Sequence, residues 1–272
     1  MIRSFSATLR GYLLQTLRFL LPIECAHCGV PLRSDPITYF CSRCWESISV
    51  SPLVRCTRCD RPFTSPVATT YSPNHLCQAC RKHPPAFTRA WTLFPYVPPL
   101  QDAICLYKYR GKVDLAIPLA RLMITHMPPL SSVDVTIPVP LHERRLRERE
   151  FNQSLLLADR IASHLKIPLS YSNLVRIIPS PAQTTLRRKD RLRNLRGAFG
   201  LRQPEMVSGR QILLVDDVFT TGTTVNECAK TLRKAGAGDV FVLTLGRSME
   251  TGTVPDRVMK LTVRPNSIPA GV

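Results

Sequence analysis

The sequence has no run of about 18 apolar residues, the least that a membrane-spanning helix needs, so no transmembrane segment is expected. It is poor in acid: 19 Asp and Glu stand against 37 Lys and Arg, a net charge of +18. An imbalance of that size points to a polyanionic partner: nucleic acid, a phosphorylated substrate or an acidic membrane surface. Glycine is scarce, 12 residues against 24 prolines, which excludes collagen and coiled coil and implies many turns. Internal repeats are absent beyond a paired cysteine pattern. Apolar residues are not lacking. At 44% of 272 residues they suffice to bury a core in one or two domains, which excludes a wholly disordered chain.

Cysteine is abundant, and its spacing is informative. Eight of ten fall in four C-x-x-C pairs: Cys25/Cys28, Cys41/Cys44, Cys56/Cys59 and Cys77/Cys80. One such turn aims two thiolates at a tetrahedral ion, and a second turn further on completes the site. Four pairs therefore suit two structural Zn2+ ions, each closed by four sulfurs. Sequential pairing and a cross-braced arrangement both satisfy the spacing. A disulfide framework is the weaker alternative, because four such pairs would be redox motifs with no redox fold around them. Metal thiolates imply a reducing compartment and place the chain in the cytoplasm. His27 and His75 lie beside cysteines and could substitute as ligands, but with eight cysteines available the all-sulfur set is preferred. Cys105 and Cys228 stand alone in apolar, helix-like surroundings and read as core.

Residues 1–21 carry Arg3, Arg10 and Arg18 and no acid, with Leu9, Leu13, Leu17 and Leu20 at helical spacing. An amphipathic helix packing on the zinc module is the preferred reading; an Arg-rich transit peptide is the alternative. Residues 22–86 form the zinc segment, too poor in large apolar residues to fold without metal. From residue 87 to 248 the texture is α/β. Strands are expected at 90–96, 134–139, 174–178, 211–215 and 240–245, and helices at 101–109, 113–126, 151–165 and 223–235. The last three strands have the apolar, β-branched character of buried parallel strands. Residues 249–272 form a tail without clear periodicity.

The strongest chemical motif runs from Val215 to Thr224, VDDVFTTGTT. A buried strand leads into two acids, a Thr/Gly loop and a helix. The amides and four hydroxyls of Thr220, Thr221, Thr223 and Thr224 can wrap a phosphate at the helix N-terminus, and Gly222 lets the backbone approach. Asp216 and Asp217 can accept hydrogen bonds from neighbouring ribose hydroxyls, while they would repel a bare phosphate. The pattern points to a sugar phosphate. The bland alternative is a helix capped by threonine, with solvated acids.

This motif resembles the phosphoribosyl pyrophosphate (PRPP) signature of type I phosphoribosyltransferases. The whole chain resembles the ComF family, which joins an N-terminal double zinc ribbon to such a domain. Further matches are LYKYRG at Leu106–Gly111, IPVPL at Ile137–Leu141, FNQS at Phe151–Ser154, and the Gln183, Arg191, Asn194, Phe199 pattern. The resemblance implies a parallel sheet with helices on both faces, preceded by the double zinc ribbon. It implies that Asp216 and Asp217 hold the ribose of PRPP and that the segment Val218, Phe219, Thr220, Thr221, Gly222, Thr223 and Thr224 holds its 5′-phosphate. The loop after IPVP, with Arg144 and Arg145, would take the pyrophosphate together with Mg2+. The expected chemistry is displacement at the anomeric carbon, with Arg187, Arg188 and Lys189 among the basic residues that balance the leaving charge. Where the family usually reads Arg-Gly-Phe-Asn-Gln, this chain has Arg149-Glu150-Phe151-Asn152-Gln153, placing a carboxylate and a Cβ at the glycine position.

No general acid or base stands out. Trp91, Phe94 and Tyr96 are candidates for an acceptor hood, with a core role as the alternative. Leu141–Glu150 mixes four arginines with three glutamates, as a solvated, salt-bridged helix does. Pro179–Arg202 carries seven basic residues (Arg187, Arg188, Lys189, Arg191, Arg193, Arg196 and Arg202) against the single acid Asp190. It reads as a mobile loop that closes over PRPP or follows a nucleic-acid backbone. Two functions are open. One, implied by the resemblance to the ComF family, is a PRPP-binding protein of DNA uptake in natural transformation, in contact with single-stranded DNA and the uptake machinery. The other is an active phosphoribosyltransferase of nucleotide metabolism, a glycosyltransferase using an unknown acceptor.

Overall fold

The structure, a computed structural model, describes residues 23–32, 34–63, 74–130, 132–177 and 197–248. Two short helices, α1 (Ser42–Glu46) and α2 (Gln78–Lys82), belong to the cysteine modules. The α/β domain begins with β1 (Arg89–Pro95) and α3 (Leu100–Tyr109). A 3-10 turn (Val113–Leu115), α4 (Ala116–His126), β2 (Val135–Pro138), α5 (Glu143–Arg149), α6 (Gln153–Leu165) and β3 (Leu174–Arg176) follow. The domain ends with β4 (Phe199–Leu201), β5 (Ile212–Phe219), α7 (Thr223–Lys234) and β6 (Val240–Arg247).

The main sheet is parallel throughout, in the order β1-β6-β5-β2. Its central strands are apolar on both sides because both faces are covered. On one face Leu213, Val215, Leu243 and Leu245 pack with α3, α4 and α6, through residues such as Ile104, Leu119 and Leu157. On the other Ile212, Leu214, Val240 and Val242 meet Val225, Cys228 and Leu232 of α7. The two cysteine modules divide in the same way. Cys25, Phe40 and Cys44 join the first core, and Cys56, Cys59, Cys77 and Cys80 join the second.

All five expected strands and all four expected helices form at their expected places, within a few residues. The segment at 174–178 differs in its pairing. It forms a short antiparallel pair with Phe199–Leu201, outside the main sheet. The edge beyond β2 is taken instead by Pro168–Ser170, where Thr136 donates to Pro168 O and Ser170 donates to Thr136 O, each at 2.9 Å. Asn173 then clamps Gln203 through both its amide atoms, which draws this segment toward β4. A short apolar run does not by itself distinguish parallel from antiparallel pairing. The segments 1–21 and 249–272 lie outside the described residues.

Candidate functional site

Strand β5 is longer than its apolar run. Pairing with β6 continues to Phe219, opposite Arg247, whereas pairing with β2 stops at Val215 opposite Pro138. The chain of β2 turns away and leaves the last half of β5 open on that side. Asp216 and Asp217 therefore lie within the strand, at the carboxyl end of the sheet where α/β folds bind ligands. Beyond them the thread Thr220-Thr221-Gly222 opens α7. Gly222 is the N-cap at φ +77, and no side chain caps the helix. The Thr223 amide makes one long bond, 3.4 Å, to the Thr221 hydroxyl, and helix N-termini of this kind offer their amides to an anion. The Thr221 and Thr223 hydroxyls lie 2.8 Å apart across the loop. Gly222 is obligatory for a second reason: a Cβ there would stand 2.8 Å from Cε1 of Phe219.

Each acid already has a partner. Ser154 Oγ donates to Asp216 Oδ1 at 2.8 Å, and the Asp217 amide donates to the same oxygen at 3.0 Å. Lys108 Nζ reaches Asp217 Oδ1 at 2.8 Å, and both side chains are largely enclosed. Burial, reinforced by the Asp217 charge, pushes the Asp216 carboxyl up to about 7. Burial works against the charge on Lys108, but the Asp217 carboxylate outweighs it and holds the ammonium above its ordinary range. The pair of acids is thus offset by one buried cation, and its charge near neutral pH is set by Asp216.

Lys108 and Ser154 lie in the LYKYRG and FNQS motifs, which sequence reasoning noticed without assigning them roles. Asn152 caps α6, its Oδ1 accepting from the Ser154 amide at 3.0 Å and its Nδ2 donating to Val139 O at 3.2 Å. Phe151 packs on Tyr107, ring centroids 5.5 Å apart. FNQS therefore locks the start of α6 so that Ser154 faces Asp216. The expected pyrophosphate loop is different in form: after His142 the chain is the helix α5. Arg144 and Arg145 stand on it, with none of its side chains buried. Arg144 pairs with Glu148 at 3.1 Å and Arg147 with Glu143 at 3.5 Å, the salt-bridged pattern that its mixed charge implies. Glu150 ends this helix at φ +65, in the left-handed region that favours glycine. The glycine position is thus a C-terminal turn, and a glutamate occupies it at a backbone cost of about 1 kcal/mol.

Of the hood candidates, Phe94 is core, Trp91 stacks on Phe241, and Tyr96 places its hydroxyl 3.6 Å from Cys105 Sγ. Arg187, Arg188, Lys189, Arg191, Arg193 and Arg196 lie outside the described residues.

The cysteines gather sequentially: Cys25, Cys28, Cys41 and Cys44 in one group, Cys56, Cys59, Cys77 and Cys80 in the other. All sulfurs of a group lie within 4.8 Å of one another. The Cys28–Cys41 and Cys59–Cys77 separations are 3.7 and 3.6 Å. A tetrahedral ion with sulfur bonds of about 2.3 Å puts its sulfurs about 3.8 Å apart. Backbone amides of Cys41 and Cys77 point at Cys25 Sγ and Cys56 Sγ, as they do around metal thiolates. Each group could hold one structural Zn2+. Neither histidine takes part: His27 bonds Asp102 at 2.9 Å, and His75 packs edge-on against Phe63. Cys228 is fully buried in the core and Cys105 half-buried.

The sequence matches the phosphoribosyl transferase domain family over residues 152–266. It is 35% identical over 202 residues to the DNA utilization protein YhgH of Shigella flexneri, covering 72% of this chain and 88% of that one. It is 34% identical over 202 residues, with the same coverage, to the protein of that name from Escherichia coli K12. To competence protein F of Haemophilus influenzae it is 32% identical over 234 residues, covering 83% of this chain and 97% of that one. Among the described residues no helix is long and apolar enough to cross a membrane. With the parallel sheet, the strand–acid–threonine loop and the two tetracysteine groups in one chain, these likenesses establish that the protein belongs to the ComF family, whose phosphoribosyltransferase-type domain follows a double zinc ribbon.

Proposed function

We propose that the chain binds PRPP with Mg2+ at Asp216–Thr224 and serves DNA uptake in the cytoplasm, holding single-stranded DNA on its basic surfaces. The observation that carries the ligand reading is the uncapped N-terminus of α7 directly after two partnered acids. Ribose hydroxyls would donate to Asp216 and Asp217, and the 5′-phosphate would accept from the loop amides and the threonine hydroxyls. Mg2+ would be held mainly by ligand oxygens and water. Lys108 offsets the acids so that an anionic sugar phosphate can approach them. The role in DNA handling is supported by the names of the relatives and by the excess of basic residues. The two structural ions are assigned as zinc because tetrathiolate sites favour it.

Calorimetry with PRPP and Mg2+ tests the site. Asp216→Asn with Asp217→Asn should cost roughly 3–6 kcal/mol of binding while the chain stays folded. Equal affinity for wild type and variant would reduce the acids to structural roles. Ionised Asp216 is the better acceptor, so affinity should fall as pH drops through about 7. The stability effect has the opposite sign. The native carboxyl keeps its proton where the unfolded one has lost it, so stability should fall as pH rises from about 4 to about 7. Asp216→Asn should flatten that slope in urea unfolding.

A further inference from the structure

Arg247 ends β6 and is only 7% exposed, an expensive place for a guanidinium. Its Nη1 donates to the carbonyl of Cys59 at 2.7 Å. Its guanidinium lies over the ring of Phe219, 4.7 Å from the centroid. The two residues are register partners at the ends of β6 and β5, and Ser248 N donates to Phe219 O at 3.0 Å. The same ring meets Phe87 edge-on, with centroids 6.2 Å apart, and fills the space that a Cβ on Gly222 would take. A continuous stack thus runs from a ligand residue of the second cysteine group to the turn that opens α7. Arg247 belongs neither to the acid pair nor to the loop, so the ligand reading leaves it unexplained.

We propose that Arg247 is a positioning residue that ties the shape of the phosphate loop to the metal-loaded second cysteine group. With the group formed, the Cys59 carbonyl holds the guanidinium over Phe219, and the ring sets how closely Gly222 and the start of α7 approach the end of β5. Loss of the ion frees the Cys59 carbonyl, the ring gains room, and the loop amides lose their common orientation. The loop's role as a phosphate cradle rests on the function proposed above; the mechanical coupling does not.

Hydrogen exchange of the Asn226 amide, which donates to Gly222 O at 3.0 Å, and of the α7 amides that follow it reads the coupling directly in the full chain loaded with zinc. Arg247→Met should speed exchange there about tenfold, and so should the pair Cys77→Ser and Cys80→Ser, with no further gain when all three are combined. Arg247→Lys, which keeps a cation and a donor, should recover part of the protection. Arg55→Ala, which cuts a different tie between the same group and β1, should leave the loop as in wild type. If Arg247→Met does not fold, Phe219→Leu, lacking the ring, should show the same rise. Wild-type exchange in the Arg247 variant overturns the proposal, and so does an equal rise with Arg55→Ala. PRPP titrated into the same samples separates the two ideas. Coupled exchange with no PRPP heat in wild type would overturn the ligand and leave the coupling standing. Full PRPP binding with uncoupled exchange would do the reverse.

Discussion

The two cysteine groups share a ligand set and differ in what they hold. In the first, Cys25 and Cys44 are buried but Cys28 is exposed and Cys41 half-exposed. It meets the α/β domain by packing Cys25, Phe40 and Cys44 on the first core, through the His27–Asp102 pair and through Lys112, whose Nζ stands 5.0 Å over the Tyr39 ring. In the second all four cysteines are buried, and the ties are of another kind. Ala90 N donates to Arg58 O at 2.8 Å, and Arg58 donates to the carbonyls of Phe87 and Pro85. Asp60 gathers Arg55 at 2.8 Å and both the amide and hydroxyl of Thr92, at 2.7 and 2.8 Å. The first group packs on the helix-covered core with two of its cysteines left accessible. The second lies wholly inside the core beneath the Thr220–Thr224 loop. Identical cysteine sets therefore serve two mechanical roles, and what surrounds them sets which one.

The largest test of this difference is removal of one ion at a time. Structural zinc supplies roughly 10–16 kcal/mol of folding energy to its own module. Cys28→Ser with Cys41→Ser should unfold the first module and leave the thermal midpoint of the α/β domain nearly unchanged. Cys77→Ser with Cys80→Ser should lower that midpoint by about 10 °C or more, because the second module covers Phe87 and Phe219. Elemental analysis of the wild type should give two equivalents of zinc, and one in each variant. Equal midpoints for the two variants would erase the distinction.

A smaller effect is expected at the ties. Arg55→Ala leaves the Asp60 carboxylate largely enclosed with neutral donors alone, and should cost about 2–3 kcal/mol in urea unfolding. The smallest effects belong to the first module. The His27–Asp102 pair is partly exposed, so His27→Ala should cost about 1 kcal/mol or less, and Lys112→Met about 0.5–1 kcal/mol. A first-module loss equal to that of Arg55→Ala would show a tighter cap than these contacts describe.

The legible parts of this chain are those whose physics is local. A C-x-x-C turn declares its ligands within four residues, and the acids, threonines and Gly222 of the loop follow one another directly. The central strands announced themselves through continuous apolar runs, which their burial on both faces requires. The illegible parts are meetings of distant residues. Ser154 and Asp216 are 62 positions apart, and Arg247 reaches a carbonyl 188 positions away. Lys108 stands in a helix two crossovers before the acid that it neutralises. The Glu150 position shows the intermediate case. Its departure from the family glycine was visible, but the reason glycine suits it, a left-handed helix end, lies in the backbone.

Sequence alone determined the two tetracysteine patterns, the strand–acid–threonine turn, the α/β alternation and the excess of positive charge, because each is written in composition or in neighbours along the chain. Only the tertiary structure decided that the cysteines pair sequentially and that one group lies on each face of the sheet. It also extended β5 through its acids by stopping β2 at Pro138. The reason is common to all three. Pairing, facing and strand ending depend on which distant surfaces bury one another, and that choice is made by the packed core as a whole.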